Sequence, residues 1–231
     1  MIKKYALVIA VLFFGISAIY GQEVRFSFQL GTAIPVGDFA ISETLPDSGG
    51  FAQPGFDIRF VGERKFKNNI IIGVNLGYSV FGLDKDGIKK VINPSNPEDV
   101  LVETQSFQNI NLQARVGYNI DVIEDKLGVV PFLDAGLGVF NSAYYAITDG
   151  QGNFFLREGN SGVAFLLSPG VDIWFPINDF MNLKIYGSYQ FAEYVVDEKY
   201  THKGVTTIIE NSTVNYKYSS ISAGLGISLV F

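Results

Sequence analysis

Apolar residues recur at every second position over most of this chain. In Val24-Arg-Phe-Ser-Phe-Gln-Leu-Gly-Thr-Ala-Ile34, Val24, Phe26, Phe28, Leu30 and Ile34 share one parity, and Arg25, Ser27, Gln29 and Gly31 the other. Successive side chains of a strand point to opposite faces, so the segment is a strand with one apolar face and one small or polar face. Seven more segments read the same way, near 55–61, 70–81, 104–120, 127–140, 161–175, 183–193 and 216–231. Leu112 stands between Asn111 and Gln113, and Leu225 between Gly224 and Gly226.

Most of these strands are long enough to cross a bilayer at a tilt, which takes about 9–11 residues. The connections run 35–54, 62–69, 82–103, 121–126, 141–160, 176–182 and 194–215, alternately long and short. Membrane barrels put long loops outside the cell and short turns in the periplasm, and an even strand count returns both ends to the short-turn side. The pattern predicts an all-β fold, an eight-stranded antiparallel up-and-down transmembrane β-barrel.

A soluble ligand carrier with eight strands is the rival. It would turn its apolar face inward and need a charged exterior. The eight segments hold only nine charges, Arg25, Asp57, Arg59, Arg115, Asp134, Asp172, Lys184, Glu193 and Lys217. The polar face is otherwise mostly Gly, Ser, Asn and Gln, which suits a narrow, crowded lumen. Aromatics should form girdles at the two interfaces. Phe26, Phe60, Tyr118, Phe175 and Phe231 are expected near the short turns, and Tyr78, Tyr189 and Phe191 towards the long loops.

The first residues carry an address. Met1-Ile-Lys-Lys is basic, 5–20 is uncharged and mostly apolar, and Gly21-Gln22 follows. That is the layout of a secretory signal peptide. The expected division is signal peptide 1–21 and barrel 22–231, although Ile19 stands where a small residue is preferred. No cysteine follows the apolar run, so no lipid anchor is expected there.

Composition then narrows the chemistry. Of 231 residues, 48% are hydrophobic and 17% charged, which excludes a disordered chain. With no cysteine and one histidine, disulfides, zinc-thiolate sites, iron–sulfur clusters and histidine-rich metal sites drop out. Seventeen basic residues against 23 acidic ones argue against a nucleic-acid partner. No cofactor and no catalytic set are expected. His202 lies near Asp197 and Glu198, and Ser212 is the nearest conceivable nucleophile, but their spacing supports no triad. Gly136-Leu-Gly138 and Gly224-Leu-Gly226 lie inside strands, where no phosphate-cradling turn to a helix follows; Gly150-Gln-Gly152 reads as a loop tip. The long loops are net acidic, which a solvated surface explains.

The informative constellation is the set of charges on the polar face: Arg25, Asp57, Arg59, Arg115, Asp134, Asp172 and Lys184. Buried charges need partners. Asp172 is expected almost opposite Lys184, Arg115 diagonal to Asp134, and Asp57 within reach of Arg59 or Arg25. These pairs are read as a structural plug of the lumen; a gated ion path or proton relay is the functional alternative.

The last strand, Tyr218-Ser-Ser-Ile-Ser-Ala-Gly-Leu-Gly-Ile-Ser-Leu-Val-Phe231, alternates to its end and resembles the closing strand of bacterial outer-membrane barrels. Gly31-Thr-Ala-Ile-Pro-Val-Gly-Asp-Phe-Ala40 resembles the opening of the outer membrane protein beta-barrel or "porin family" group, which includes PorT-like proteins and barrels of the OmpA/OmpX type. The resemblance implies an integral outer-membrane protein of a Gram-negative cell. It implies outer-membrane lipids as surroundings and recognition of the strand ending in Phe231 by the barrel-assembly machinery. It carries over no catalytic residue. The expected role is non-enzymatic: a cell-surface structural or interaction protein whose extracellular partner the sequence does not identify. A narrow channel, a conduit for small hydrophobic molecules and an accessory part of a secretion apparatus stay open as alternatives.

Overall fold

The computed structural model describes residues 23–41, 50–149, 152–203 and 207–231. The expected signal peptide, 1–21, lies outside the described residues, as do Gly150 and Gln151 of the glycine-rich loop tip. Twelve strands are described: β1 (Glu23–Pro35), β2 (Ala52–Lys65), β3 (Ile70–Leu83), β4 (Leu101–Thr104), β5 (Phe107–Tyr118), β6 (Ile120–Ile123), β7 (Leu127–Asn141), β8 (Tyr145–Thr148), β9 (Phe154–Glu158), β10 (Ser161–Asn178), β11 (Met181–Lys203) and β12 (Thr207–Val230). Eight of them form a ring in which every neighbour is antiparallel, in the order β1, β2, β3, β5, β7, β10, β11, β12. β1 also pairs with β12, from Arg25 opposite Val230 to Pro35 opposite Ser220, and this closes the barrel.

The expected alternation sets the two faces. Phe28, Leu30, Phe60, Leu76, Leu112, Leu137, Phe165, Leu225 and Leu229 are exposed on the outside. Ser27, Gln29, Asn75, Asn111, Gln113, Ser168, Gln190 and Ser222 are buried inside. A water-soluble carrier has the opposite polarity. An apolar wall of this extent matches hydrocarbon, and closure of the ring leaves no open sheet edge within it.

Strand boundaries depart from the sequence reading in several places, and two of the departures bear on the site. β2 runs to Lys65 rather than ending at 61, so the first short connection is Phe66–Asn69, with Asn69 at φ 64. Phe60 therefore sits inside its strand and not at the turn. The second departure is larger. The stretch 194–215, expected as a loop, is mostly strand: β11 and β12 stay in unbroken register from Met181 opposite Leu229 to Lys203 opposite Thr207. β9 adds to the free side of β11, β8 to β9 and β4 to β8, making a sheet that stands beyond the barrel. The connection 82–103 also holds a helix, α1 (Lys85–Ile92), capped by Asp84, whose carboxylate accepts from the Gly87 N–H.

The sequence reading stops early for a physical reason. Below about residue 192, β11 puts Leu183, Ile185, Tyr189 and Phe191 outward and Lys184, Ser188 and Gln190 inward. Above it the polarity of the faces reverses. Tyr194, Val196 and Tyr200 are buried inside, while Glu193, Asp197 and Lys199 face outward. The outer face there meets water, and the inner face has an apolar core to cover.

That core gives the bore three layers. At the end beside the long connections, Phe39, Phe81, Phe107, Phe140, Tyr194, Tyr216 and Tyr218 form a ring-on-ring cluster. Phe140 stacks on Phe107 at 5.8 Å and on Tyr194 at 5.2 Å. At the other end Ile71, Val130 and Trp174 make a smaller apolar floor. The polar and charged residues lie between. Two inward glycines admit the large rings: a Cβ at Gly128 would stand 2.2 Å from the Trp174 ring, and one at Gly138 would stand 2.2 Å from the Tyr194 hydroxyl. The second accounts for part of Gly136-Leu-Gly138 as packing.

Candidate functional site

Arg115 on β5 organises the middle layer. Its register partner across the ladder is Asp134 on β7, so the two are direct rather than diagonal neighbours. Arg115 Nε donates to Asp134 Oδ1 at 2.7 Å, Nη2 to Asp134 Oδ2 at 2.9 Å, and Nη1 to Asp172 Oδ2 at 2.9 Å. The two parallel bonds to Asp134 are the forked geometry that a guanidinium offers a carboxylate. The guanidinium also lies 3.8 Å from the centre of the Phe132 ring, and the Asn75 amide donates to Asp134 Oδ2 at 2.9 Å.

Lys184 is held differently from the expectation. Asp172 Oδ2 is 3.7 Å from its ammonium, but the short contact, 2.5 Å, goes to Glu63 Oε1. Glu63 Oε2 is also 3.6 Å from Arg115. The sequence reading ends this strand at 61 and so misses Glu63. Its parity with Asp57 and Arg59 is the available signal. With Glu63 included, four cations (Arg25, Arg59, Arg115, Lys184) match four anions (Asp57, Glu63, Asp134, Asp172), all buried.

Asp57 and Arg59 form a second group. Arg59 Nε donates to Asp57 Oδ2 at 2.6 Å and Nη2 to Ser188 Oγ at 2.8 Å. Ser79 and Tyr186 hydroxyls donate to the same carboxylate at 2.7 and 2.9 Å. Arg25 does not reach Asp57. It pairs with Glu23 two residues away and lies 5.1 Å from the Trp174 ring, whose indole N–H donates to Asn119 Oδ1 at 2.9 Å.

A second buried charge group lies in the projecting sheet, where the sequence reading names Glu198 only as a neighbour of His202 and does not foresee Arg157. Arg157 on β9 bonds Glu198 on β11, and the hydroxyls of Tyr200 and Tyr216 donate to the same carboxylate at 2.7 and 2.6 Å. Tyr145 lies 5.2 Å beneath the guanidinium. Burial pushes the Tyr145 hydroxyl above its ordinary value, against the pull of Arg157. Burial and the bond to Glu198 push Tyr200 up as well. Burial works against the Arg157 charge, yet the Tyr145 and Glu198 oxygens outweigh it and hold the guanidinium above its usual range. Beside this brace, Glu158, Asn160, Asp197, Lys199, Asn211 and Thr213 line an open polar cleft of about 590 Å³.

His202 packs edge-on against Phe155, 4.7 Å between ring centres. Ser212 lies opposite Glu198, four residues along β11 from His202, so about 13 Å separates them along the strand. That distance does not pair a nucleophile with a base.

No protein-family model and no curated protein sequence matches the chain. Solved structures do. A major outer membrane protein from Thermus thermophilus is similar over 90% of this chain and 99% of that one, with a TM-score of 0.55 at 15% identity. OprG from Pseudomonas aeruginosa gives 0.41 at 9% identity over 91% of this chain and 95% of its own. Ail from Yersinia pestis gives 0.40 at 12% over 90% and 98%. Of these three, the Thermus protein alone superposes closely enough to bear on the fold. The chain has the fold of the outer-membrane β-barrels.

Proposed function

We propose that the chain is an integral outer-membrane protein of a Gram-negative cell, exported by residues 1–21 and acting without catalysis as a surface structural or interaction protein. Outer-membrane lipids surround its apolar wall, and the barrel-assembly machinery reads the strand that ends at Phe231. The observation that carries this reading is the division of labour between bore and sheet. Four matched ion pairs' worth of charge and seven packed rings fill the bore, so it serves as a structural plug. The sheet built on β11 and β12 instead offers a broad polar surface with a cleft beyond the membrane.

Two results test it together. A membrane-impermeant maleimide added to intact cells labels Thr213→Cys on the sheet and leaves Asn68→Cys, on the short connection after β2, unlabelled. Purified protein in a planar bilayer gives no steady current, because side chains occlude the lumen. Labelling of Asn68→Cys with Thr213→Cys spared inverts the topology, and a stable ion-selective current replaces the surface role with a channel.

A further inference from the structure

Strand β11 changes neighbours on one edge as it leaves the membrane. It pairs with β10 as far as Phe191 opposite Leu167 and takes up β9 at Lys199 opposite Glu158. On its other edge β12 continues in unbroken register. The polar cleft lies at the upper end of this handover, between the turn from β9 to β10 and the outward side chains of β11 and β12.

The walls of the cleft are fixed. The chain turns at Gly159, where a Cβ would stand 2.2 Å from the Ser142 carbonyl oxygen. The Asn160 backbone N–H donates to Ser142 Oγ at 3.0 Å, and its side-chain amide donates to the Asp197 carbonyl at 2.8 Å. Glu198 turns inward to Arg157, Tyr200 and Tyr216, which anchors the strand between Asp197 and Lys199. Thr213 Oγ1 donates to Asp197 Oδ1 at 2.7 Å and orients that carboxylate. A ligand therefore meets groups that are already ordered.

The lining selects the ligand. Two carboxylates, Glu158 and Asp197, and one ammonium, Lys199, border the cleft. The excess of negative charge disfavours phosphates and acidic groups. Glu158 and Lys199, 3.2 Å apart, are each nearly half exposed, so their pairing contributes little and yields to a ligand. Asn211 and Thr213 supply an amide and a hydroxyl that both donate and accept. Hydroxyls donating to a carboxylate form the stronger, charge-assisted kind of hydrogen bond. Val195, 56% exposed and two positions below Asp197 on the same face, adds an apolar contact. Carboxylate, amide and hydroxyl beside one small apolar surface match the vicinal hydroxyls and the C–H face of a sugar ring. About 590 Å³ is the size of a small-molecule site.

The height of the cleft points to the source. Glu193 and Lys217, opposite one another, end the apolar wall on this side. Asp197 and Thr213, also opposite one another, stand four positions further out, about 10 Å for strands tilted near 40°. The outward face at that level meets the sugars of outer-leaflet glycolipid. We infer that the cleft binds a neutral saccharide, the core sugars of the lipopolysaccharide around the barrel. This rests on the topology proposed above.

The test uses the full chain purified into lipid nanodiscs free of lipopolysaccharide. Core oligosaccharide is released from the lipopolysaccharide of the producing cells, and part of it is dephosphorylated. Titration of each form is followed by saturation-transfer NMR. The dephosphorylated form binds with a dissociation constant of about 1 mM or tighter. Asp197→Asn and Asn211→Ala each weaken it about fivefold or more. Glu193→Gln and Lys217→Met, below the cleft on the same face, leave it unchanged. All four positions are exposed, so these changes leave the barrel assembled, and heat-modified gel mobility checks that they do. Absence of binding, or equal binding by Asp197→Asn, Asn211→Ala and wild type, overturns the site. Binding of the phosphorylated form alone overturns the neutral ligand, and equal affinity for maltohexaose overturns lipopolysaccharide as the source. Inverted labelling of Thr213→Cys and Asn68→Cys in cells, with binding intact in nanodiscs, overturns the topology rather than the chemistry of the cleft.

Discussion

At the scale of the residue, the lumen shows how buried charge is tolerated. Each guanidinium or ammonium is matched by a carboxylate, and Ser79, Tyr186, Ser188 and Asn75 add hydrogen bonds to the groups around Asp57, Arg59 and Asp134. Removing one member of such a group leaves the others uncompensated and costs about 3–5 kcal/mol, whereas removing both members of a true pair recovers much of it. The contact lengths identify the true pair. Lys184→Met with Glu63→Gln is expected to recover more stability than Lys184→Met with Asp172→Ala, because Asp172 retains Arg115 and Glu63 then lacks its short contact. Double-mutant cycles on denaturant unfolding in lipid vesicles measure the two couplings directly. A larger coupling for Asp172 would contradict the assignment. Seven of the eight lumen charges are legible from parity alone. Glu63 is not, because Gly62-Glu-Arg-Lys-Phe-Lys-Asn-Asn69 carries the polar, glycine-led look of a turn, and only the ladder from Glu63 to Gly73 and Arg25 shows that pairing continues.

At the scale of the element, β11 and β12 carry two different environments in one hairpin. Inside the membrane zone their outer faces are apolar; beyond it those faces turn largely polar or charged and the inner faces turn largely aromatic. A rule that demands apolar residues outside ends both strands where the solvent changes, which is why the projecting sheet cannot be read from the sequence. The short strands β4, β8 and β9 are invisible for another reason: four or five residues give too little period to recognise. The brace of Arg157, Glu198, Tyr145, Tyr200 and Tyr216 makes this sheet sensitive to base. The Tyr145 and Tyr200 hydroxyls are raised above the ordinary value of 10.0, so their neutral forms favour the folded sheet. Their contribution is complete below about pH 10 and is lost as the pH climbs above it. Limited proteolysis across roughly pH 9 to 12 should therefore open the 194–215 hairpin while the barrel strands resist. Simultaneous loss of both, or a hairpin unaffected by pH, would show that the tyrosines do not hold it.

At the scale of the molecule, the closure itself is legible. Eight segments of period two, joined by alternately long and short connections, correspond to the eight-membered ring of antiparallel pairs. The polarity of the two faces distinguishes this barrel from a soluble carrier of the same strand number. Leu112 lies in the middle of β5, level in the ladder with Leu76 on one side and Leu137 on the other, and more than half of its surface is exposed. Leu112→Arg, with unfolding measured in lipid vesicles, tests the account most directly. A charge facing hydrocarbon near the midplane should lower the unfolding free energy by about 2–4 kcal/mol. An unchanged or increased stability would mean that Leu112 faces water, and it would contradict the membrane barrel.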